Sequence, residues 1–214
     1  MSRFSPAPPI SFNCHMAAVI WKNLKPEVDK VDVEIYYESL CGGCEYLITK
    51  TLVPTYKKLK DIMNLTFVVY GNAFDVKLPS GEIQIRCQHG PAECIGNLVE
   101  NCGLHYIEDI ESKVDFINCM ETSTEPQKYG QKCASQVGKS EIWPKVEACM
   151  HSKLGHELIL KAQAKTFALK PSHQYVPWTL VNGVHQTKYD KSTVSTMVQY
   201  VCDEYKGPKP ELCK

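Results

Sequence analysis

The spacing of apolar positions changes along the chain, and each change marks an element. Val31-Asp32-Val33-Glu34-Ile35-Tyr36-Tyr37 alternates apolar and polar residues, with β-branched and aromatic side chains, and predicts a strand. From Tyr46 the spacing lengthens: Leu47, Leu52, Val53, Tyr56 and Leu59 follow a helical pattern, and Pro54 is expected to kink it. Leu65-Thr66-Phe67-Val68-Val69-Tyr70 returns to strand character and is closed by Gly71-Asn72. Strand, helix and strand in that order form a βαβ unit, whose parallel strands require the crossover. From about 73 to 150, helical pieces alternate with Gly and Pro breaks and predict a helical insertion. Another helix is expected from His151 to Thr166, with Leu154, Leu158, Ile159 and Ala162 on one face. Asn182-Gly183 is a hairpin signal that predicts antiparallel strands on either side. Val194, Met197, Val198, Val201 and Tyr205 then give a closing helix one buried face.

Composition adds little until the cysteines are counted. The chain has 214 residues, 43% hydrophobic and 22% charged, with 24 basic against 24 acidic side chains, as in an ordinary globular protein. That balance gives no reason to expect nucleic acid or an anionic membrane surface as a partner. The longest early apolar run, Met16 to Trp21, is far short of the roughly 20 residues of a spanning helix, so no membrane span is predicted.

Eleven cysteines change the picture. In a reducing cytosol they would point to metal sites, and in an oxidising compartment to disulfides. Only Cys41 and Cys44 have the close spacing of a zinc-ligand pair; Cys14, Cys87, Cys94, Cys102, Cys119, Cys133, Cys149, Cys202 and Cys213 are scattered. A secretory, disulfide-bonded chain is the reading that follows, and Asn64-Leu65-Thr66 offers Asn64 as a glycosylation site. Residues 1–30 do not fit a signal peptide, because Arg3 is followed by Pro6, Pro8 and Pro9 and the apolar core is short. They read as a poorly ordered leader, a truncated or misassigned start or an atypical signal, and they hold Cys14, the odd cysteine; the domain proper is 31–214.

Cys41-Gly42-Gly43-Cys44 lies directly after a predicted strand and before a predicted helix. A thiol at a helix N-terminus meets unpaired N–H groups and the positive end of the helix dipole, both of which favour the thiolate that attacks disulfides. A second thiol one turn later can resolve the mixed disulfide, and two glycines leave room for a bulky substrate. Cys41 is the expected nucleophile and Cys44 the buried resolving thiol. The rival readings are a structural disulfide, or half of a zinc site completed from Cys87, His89 and Cys94. Pro177 is expected to be a cis-proline that faces the dithiol and positions an extended substrate, the alternative being an edge-strand proline.

Cys87-Gln88-His89-Gly90-Pro91-Ala92-Glu93-Cys94-Ile95-Gly96-Asn97-Leu98-Val99-Glu100-Asn101-Cys102 resembles the CQHGxxECxxNxxxxC signature of the gamma-interferon-inducible lysosomal thiol reductase (GILT) family. Tyr36 to Cys41, Tyr70-Gly71-Asn72-Ala73 and Tyr175-Val176-Pro177-Trp178 are similar to the family as well. The resemblance runs from about Val31 to Cys213. It implies an α/β fold, a thioredoxin-like core with a disulfide-rich helical insertion. It also implies reduction of protein disulfides in an acidic endosomal or lysosomal compartment, with the redox roles on Cys41 and Cys44. Disulfide-bonded proteins are the implied substrates, and no metal or organic cofactor is implied. A small thiol such as cysteine or glutathione would recycle the oxidised pair. His89 is read as part of a turn beside Gly90, with proton donation as the alternative, and Gln88 and Asn97 as partners for buried backbone groups. Eight structural cysteines allow 105 pairings, so connectivity stays open, including whether Cys202 and Cys213 join each other or the insertion. An oxidase or isomerase on the same scaffold, or a secreted binding module, are the rival functions.

Acidic operation sets a physical demand. An ordinary thiol with a pKa near 8.5 is only about one part in 10⁴ thiolate at pH about 4.5, and half-ionisation there needs roughly 5.4 kcal/mol. A helix dipole supplies about 0.3–2 kcal/mol. Glu38 and Glu45 oppose ionisation, and no Lys or Arg is nearer than Lys50. Direct hydrogen bonds to the Cys41 sulfur, from the Cys44 thiol and backbone N–H groups, are therefore expected.

Overall fold

The computed structural model describes residues 28–81 and 83–214, so Cys14 and nearly all of the leader lie outside the described residues. A four-stranded sheet in the order β2-β1-β5-β6 forms the centre, built from β1 (Val31–Tyr37), β2 (Met63–Val69), β5 (Trp178–Val181) and β6 (Val184–His185). β1 runs parallel to β2, with Val31 opposite Met63, and antiparallel to β5, with Tyr36 opposite Trp178. The period-two pattern of β1 divides its side chains between two cores: Val31, Val33, Ile35 and Tyr37 enter one, and Tyr36 enters the other with Val68, Tyr70, Trp178 and Leu180.

The crossover helix α1 covers 42–59 as α-helical Gly42–Leu47, π-helical Ile48–Leu52 and α-helical Val53–Leu59. Pro54 lacks an N–H and its ring crowds the preceding turn, and the wider π turn just before it absorbs both problems. A short helix α7 (Thr187–Asp190) precedes the closing helix α8 (Val194–Glu204), which packs on α1 and is capped by Thr193. Helix α6 (Lys153–Phe167) packs against β2.

The stretch from 73 onward opens with a hairpin, not a helix: β3 (Phe74–Lys77) pairs antiparallel with β4 (Ile83–Arg86), Phe74 opposite Arg86. Both strands alternate apolar and polar residues, and Gly81 takes the positive φ of the intervening loop, so the predicted helical character begins only after it. Helices α2 (Pro91–Tyr106), α3 (Ile110–Glu121), α4 (Pro126–Gln136) and α5 (Trp143–Met150) follow, with α2 packed against α4, α5 and α6. Disulfides staple this subdomain. Cys87–Cys94 joins the exit of β4 to the first turn of α2, Cys102–Cys149 joins α2 to α5, and Cys119–Cys133 joins α3 to α4. Cys202 and Cys213 join each other across the chain end. Because Cys87 and Cys94 are bonded to one another, they cannot complete a zinc site with the Cys41–Cys44 pair. Among the described residues, no helix is long and apolar enough to cross a membrane.

The bridges differ in how much unfolded chain they restrain. Cys102–Cys149 spans 47 residues and Cys87–Cys94 spans 7. Chain-entropy arguments value such loops at about 4 and about 2 kcal/mol. Replacing Cys102 and Cys149 together by alanine should therefore lower the urea-unfolding free energy about twice as much as replacing Cys87 and Cys94. Equal losses would show that the entropic argument does not govern these bridges.

Candidate active site

β1 ends at Tyr37, and four residues later Cys41 stands as the N-cap of α1, its Sγ accepting the Cys44 N–H at 3.2 Å. The two thiols are free and differ in exposure: Cys41 is half-buried and Cys44 fully buried. Burial, and then the bond to Cys41 and its charge, push the Cys44 thiol far above its usual range. The Cys41 thiol moves the other way. Donation from the Cys44 S–H lowers it most, the N–H groups of Cys44 and Gly43 add to this, and burial and the Glu38 charge oppose it. The expected hydrogen bonds to the Cys41 sulfur are therefore those the fold supplies. They favour a thiolate at Cys41 and a retained proton at Cys44.

The segment before β5 passes beside this pair. The Val176–Pro177 peptide is cis, and the Val176 carbonyl oxygen lies 3.9 Å from Cys41 Sγ. Pro177 is buried, and its Cδ would stand 3.4 Å from a Cβ built on Gly43, so the ring closes over the start of α1. A Cβ on Gly42 would meet nothing within 4 Å, which leaves the approach to Cys41 open. Asn64 is exposed on β2 and pairs with Asp32 near the start of β1, the end of the strand opposite Cys41.

Residues 38–40 connect β1 to Cys41, and the Cys87–Cys102 segment holds them. Asn97 Oδ1 accepts the buried Ser39 N–H at 2.9 Å, and Ser39 Oγ donates to the Glu93 carbonyl at 3.2 Å. A Cβ on Gly96 would come within 2.3 Å of Ser39 Oγ, so glycine permits that approach. Glu38 is fully buried, and its Oε2 accepts the Asn72 N–H at 2.7 Å. Gly71, at φ +65°, makes room for the carboxyl: a Cβ there would lie 2.2 Å from Glu38 Oε2. Among the described residues no hydrogen-bond donor reaches Glu38 Oε1, and His89 Nδ1 faces it at 3.5 Å while bonding Glu93 Oε2. Burial pushes Glu38 up to about 7, partly offset by the Asn72 N–H, and the bond to Glu93 raises His89. Glu38, His89 and Glu93 bring one donor atom each within 4.8 Å of one another, but His89 Nδ1 is spent on Glu93, and we assign no metal to them. Gln88 accepts from the Asn72 side chain, so Asn97 serves a buried backbone group while Gln88 serves a side chain.

A second acidic cluster escaped the sequence reading. The Tyr37 hydroxyl donates to Glu100 Oε2 at 2.7 Å, and Glu100 and Glu121 are both buried with their carboxyls facing one another. The remaining Glu100 oxygen and both Glu121 oxygens find no donor among the described residues while both groups are ionised. A proton on either turns the contact into a hydrogen bond. Burial pushes Glu100 up to about 7 and Glu121 further, with the Glu100 charge adding to the latter. Glu121 lies within electrostatic range of both Cys41 and Cys44.

Three comparisons place this geometry among known proteins. Residues 32–137 match the family described as "Gamma interferon inducible lysosomal thiol reductase (GILT)". The chain is 37% identical to the "Gamma-interferon-inducible lysosomal thiol reductase" of Carassius auratus, over 91% of this chain and 76% of that protein. It is 38% identical to the Mus musculus protein of the same name, over 88% of this chain and 73% of that protein. In fold alone it is similar to DsbA of Chlamydia trachomatis (TM-score 0.61, 15% identity, 84% of this chain and 88% of that one). It is likewise similar to BdbD of Bacillus subtilis (TM-score 0.59, 16% identity, 86% and 91%).

The buried acids make stability depend on pH with a definite sign. Glu100 binds its proton more tightly in the folded chain, near 7 against an ordinary 4.5, so its protonated form favours folding. That contribution is complete below about 4.5 and is lost as the pH rises through about 7. Glu100→Gln, which stays neutral and still accepts from Tyr37, should gain about 1–2 kcal/mol at pH about 8 relative to pH about 5. Urea unfolding at the two pH values measures this. A variant destabilised equally at both would rule the carboxyl pair out as the source.

Proposed function

We propose that this chain, which belongs to the gamma interferon inducible lysosomal thiol reductase (GILT) family, reduces protein disulfides in an acidic endosomal or lysosomal compartment. It is a thiol-disulfide oxidoreductase, and Cys41 and Cys44 are the residues that would carry the exchange. The observation that supports this most is one arrangement. Cys41 is half-exposed at a helix N-terminus, takes hydrogen bonds from the buried Cys44, and lies beside the Val176 carbonyl and Pro177.

The thiolate of Cys41 attacks one sulfur of the substrate disulfide. A Cys41–substrate disulfide forms, and the other substrate sulfur leaves as a thiolate that takes up a proton. Cys44 then gives up its proton, and its sulfur attacks Cys41 Sγ. That step breaks the mixed disulfide, releases the second substrate thiol and leaves Cys41 bonded to Cys44. Two molecules of a small thiol such as cysteine or glutathione, oxidised to their own disulfide, restore the dithiol. Open space at Gly42 and the exposed rings of Tyr46 and Tyr175 suit an unfolded polypeptide as substrate. Asn64, exposed on β2, would carry a glycan in such a compartment.

With a small-thiol recycler, the full chain should reduce a denatured disulfide-bonded protein at pH about 4.5, where an ordinary thiol is almost wholly protonated. Cys41→Ser should abolish turnover and form no mixed disulfide, while Cys44→Ser should accumulate one. Turnover confined to neutral pH would remove the acidic setting. No turnover at either pH would leave a structural disulfide, and trapping by Cys41→Ser instead would reverse the roles.

A further inference from the structure

Glu38 has no place in the exchange steps, yet a large part of the structure is arranged around its carboxyl. Gly71 clears space for it, the Asn72 N–H binds Oε2, and Oε1 is buried with no donor among the described residues. His89 faces that oxygen at 3.5 Å but gives its Nδ1 to Glu93. Glu38 is also tied to both cysteines through its backbone: its carbonyl accepts the Cys41 backbone N–H at 3.3 Å, and its own N–H bonds the Cys44 sulfur. A carboxyl held this rigidly, three residues before the nucleophile and out of solvent, acts on Cys41 through low-dielectric space.

We propose that Glu38 is a positioning residue that brakes the Cys41 nucleophile: its ionised carboxyl suppresses the Cys41 thiolate at neutral pH, and its protonation in acid lifts the suppression. The assignment rests on Cys41 being the attacking thiol. The sign follows from charge alone. Two like charges in one buried site disfavour each other, so Cys41 ionises more readily once Glu38 is neutral. A value near 7 puts the change between neutral and acidic compartments, and the Glu38 charge is among the influences that oppose Cys41 ionisation. The other groups in range work with this or against it in known directions. His89, raised by Glu93, becomes more positive as the pH falls and attracts the thiolate. Glu121 repels the thiolate when ionised and is itself pushed up by burial. Glu93 stays paired with His89. Glu45 on α1 is exposed, and solvent screens it.

The test is the rate of iodoacetamide alkylation of Cys41 from pH about 4.5 to about 9, assigned by peptide mass spectrometry on the reduced full chain. In Glu38→Gln the rate at pH about 7.5 should rise about three- to tenfold over the parent, and the gain should shrink toward one as the pH falls below about 6. Glu38→Asp, which keeps a titrating charge, should retain the parent's profile shape. A Glu38→Gln profile that overlies the parent at every pH, or differs from it by one constant factor, would overturn the proposal. Should Glu38→Gln not fold, the parent's own profile decides: a broadened, two-step rise supports the brake, and a simple one-proton curve overturns it. Alkylation reads only the ionisation of the thiol, so its outcome is separate from that of the turnover assay for reductase activity.

Discussion

Residues 38–40 are the constraint on which the site depends. They leave a buried strand end and must deliver Cys41 to a helix N-terminus, so they cannot pair in the sheet or in the helix. Buried backbone groups without partners cost about 1–3 kcal/mol each, and here the partners come from elsewhere in the chain. Asn97 accepts from Ser39, the Glu93 carbonyl accepts its hydroxyl, and Asn72 binds the Glu38 carboxyl. Two of these groups lie on α2, whose first turn is anchored by the Cys87–Cys94 disulfide. The inserted subdomain is thus joined to the redox centre by hydrogen bonds as well as by packing. Moving α2 would displace Cys41.

The same view explains what the sequence made legible. β1 was visible because its alternate residues feed two different cores, and α8 because a single buried face repeats at helical spacing. The dithiol was visible because four consecutive residues carry the chemistry, and the closing hairpin because Asn182-Gly183 encodes it locally. Pro54 was correctly seen as a disturbance, but the form it took, a π turn upstream, depends on the packing of α8 and α3 against that turn. The β3–β4 hairpin carries its own alternation, but over strands of only four residues set among cysteines and helical pieces, which makes its signal weak. The Tyr37–Glu100–Glu121 cluster had no local signal, since its members come from β1, α2 and α3 and meet only after the insertion docks. His89 was read as a turn residue and does sit in one, beside Gly90 at φ +89°. Its approach to Glu38, 3.5 Å from Nδ1 to Oε1, needs the tertiary structure.

Electrostatics gives the two acidic clusters a common meaning. A thiolate at Cys41 is opposed by Glu38 and Glu121 when they are ionised, and Glu121 is in turn coupled to Glu100. All three are buried, and burial raises each of them, two to about 7. In acid they are neutral, and the hydrogen bonds from Cys44 and the α1 backbone act on Cys41 with little opposition. At neutral pH the same carboxyls press toward ionisation inside a low-dielectric interior, and both the thiolate and the fold pay for it. Protonation of these acids below their titration range therefore removes the repulsion that their charges would impose on a Cys41 thiolate. A site meant for neutral pH would be better served by Gln or Leu at the same positions, since those side chains would remove the repulsion without needing protons to do so.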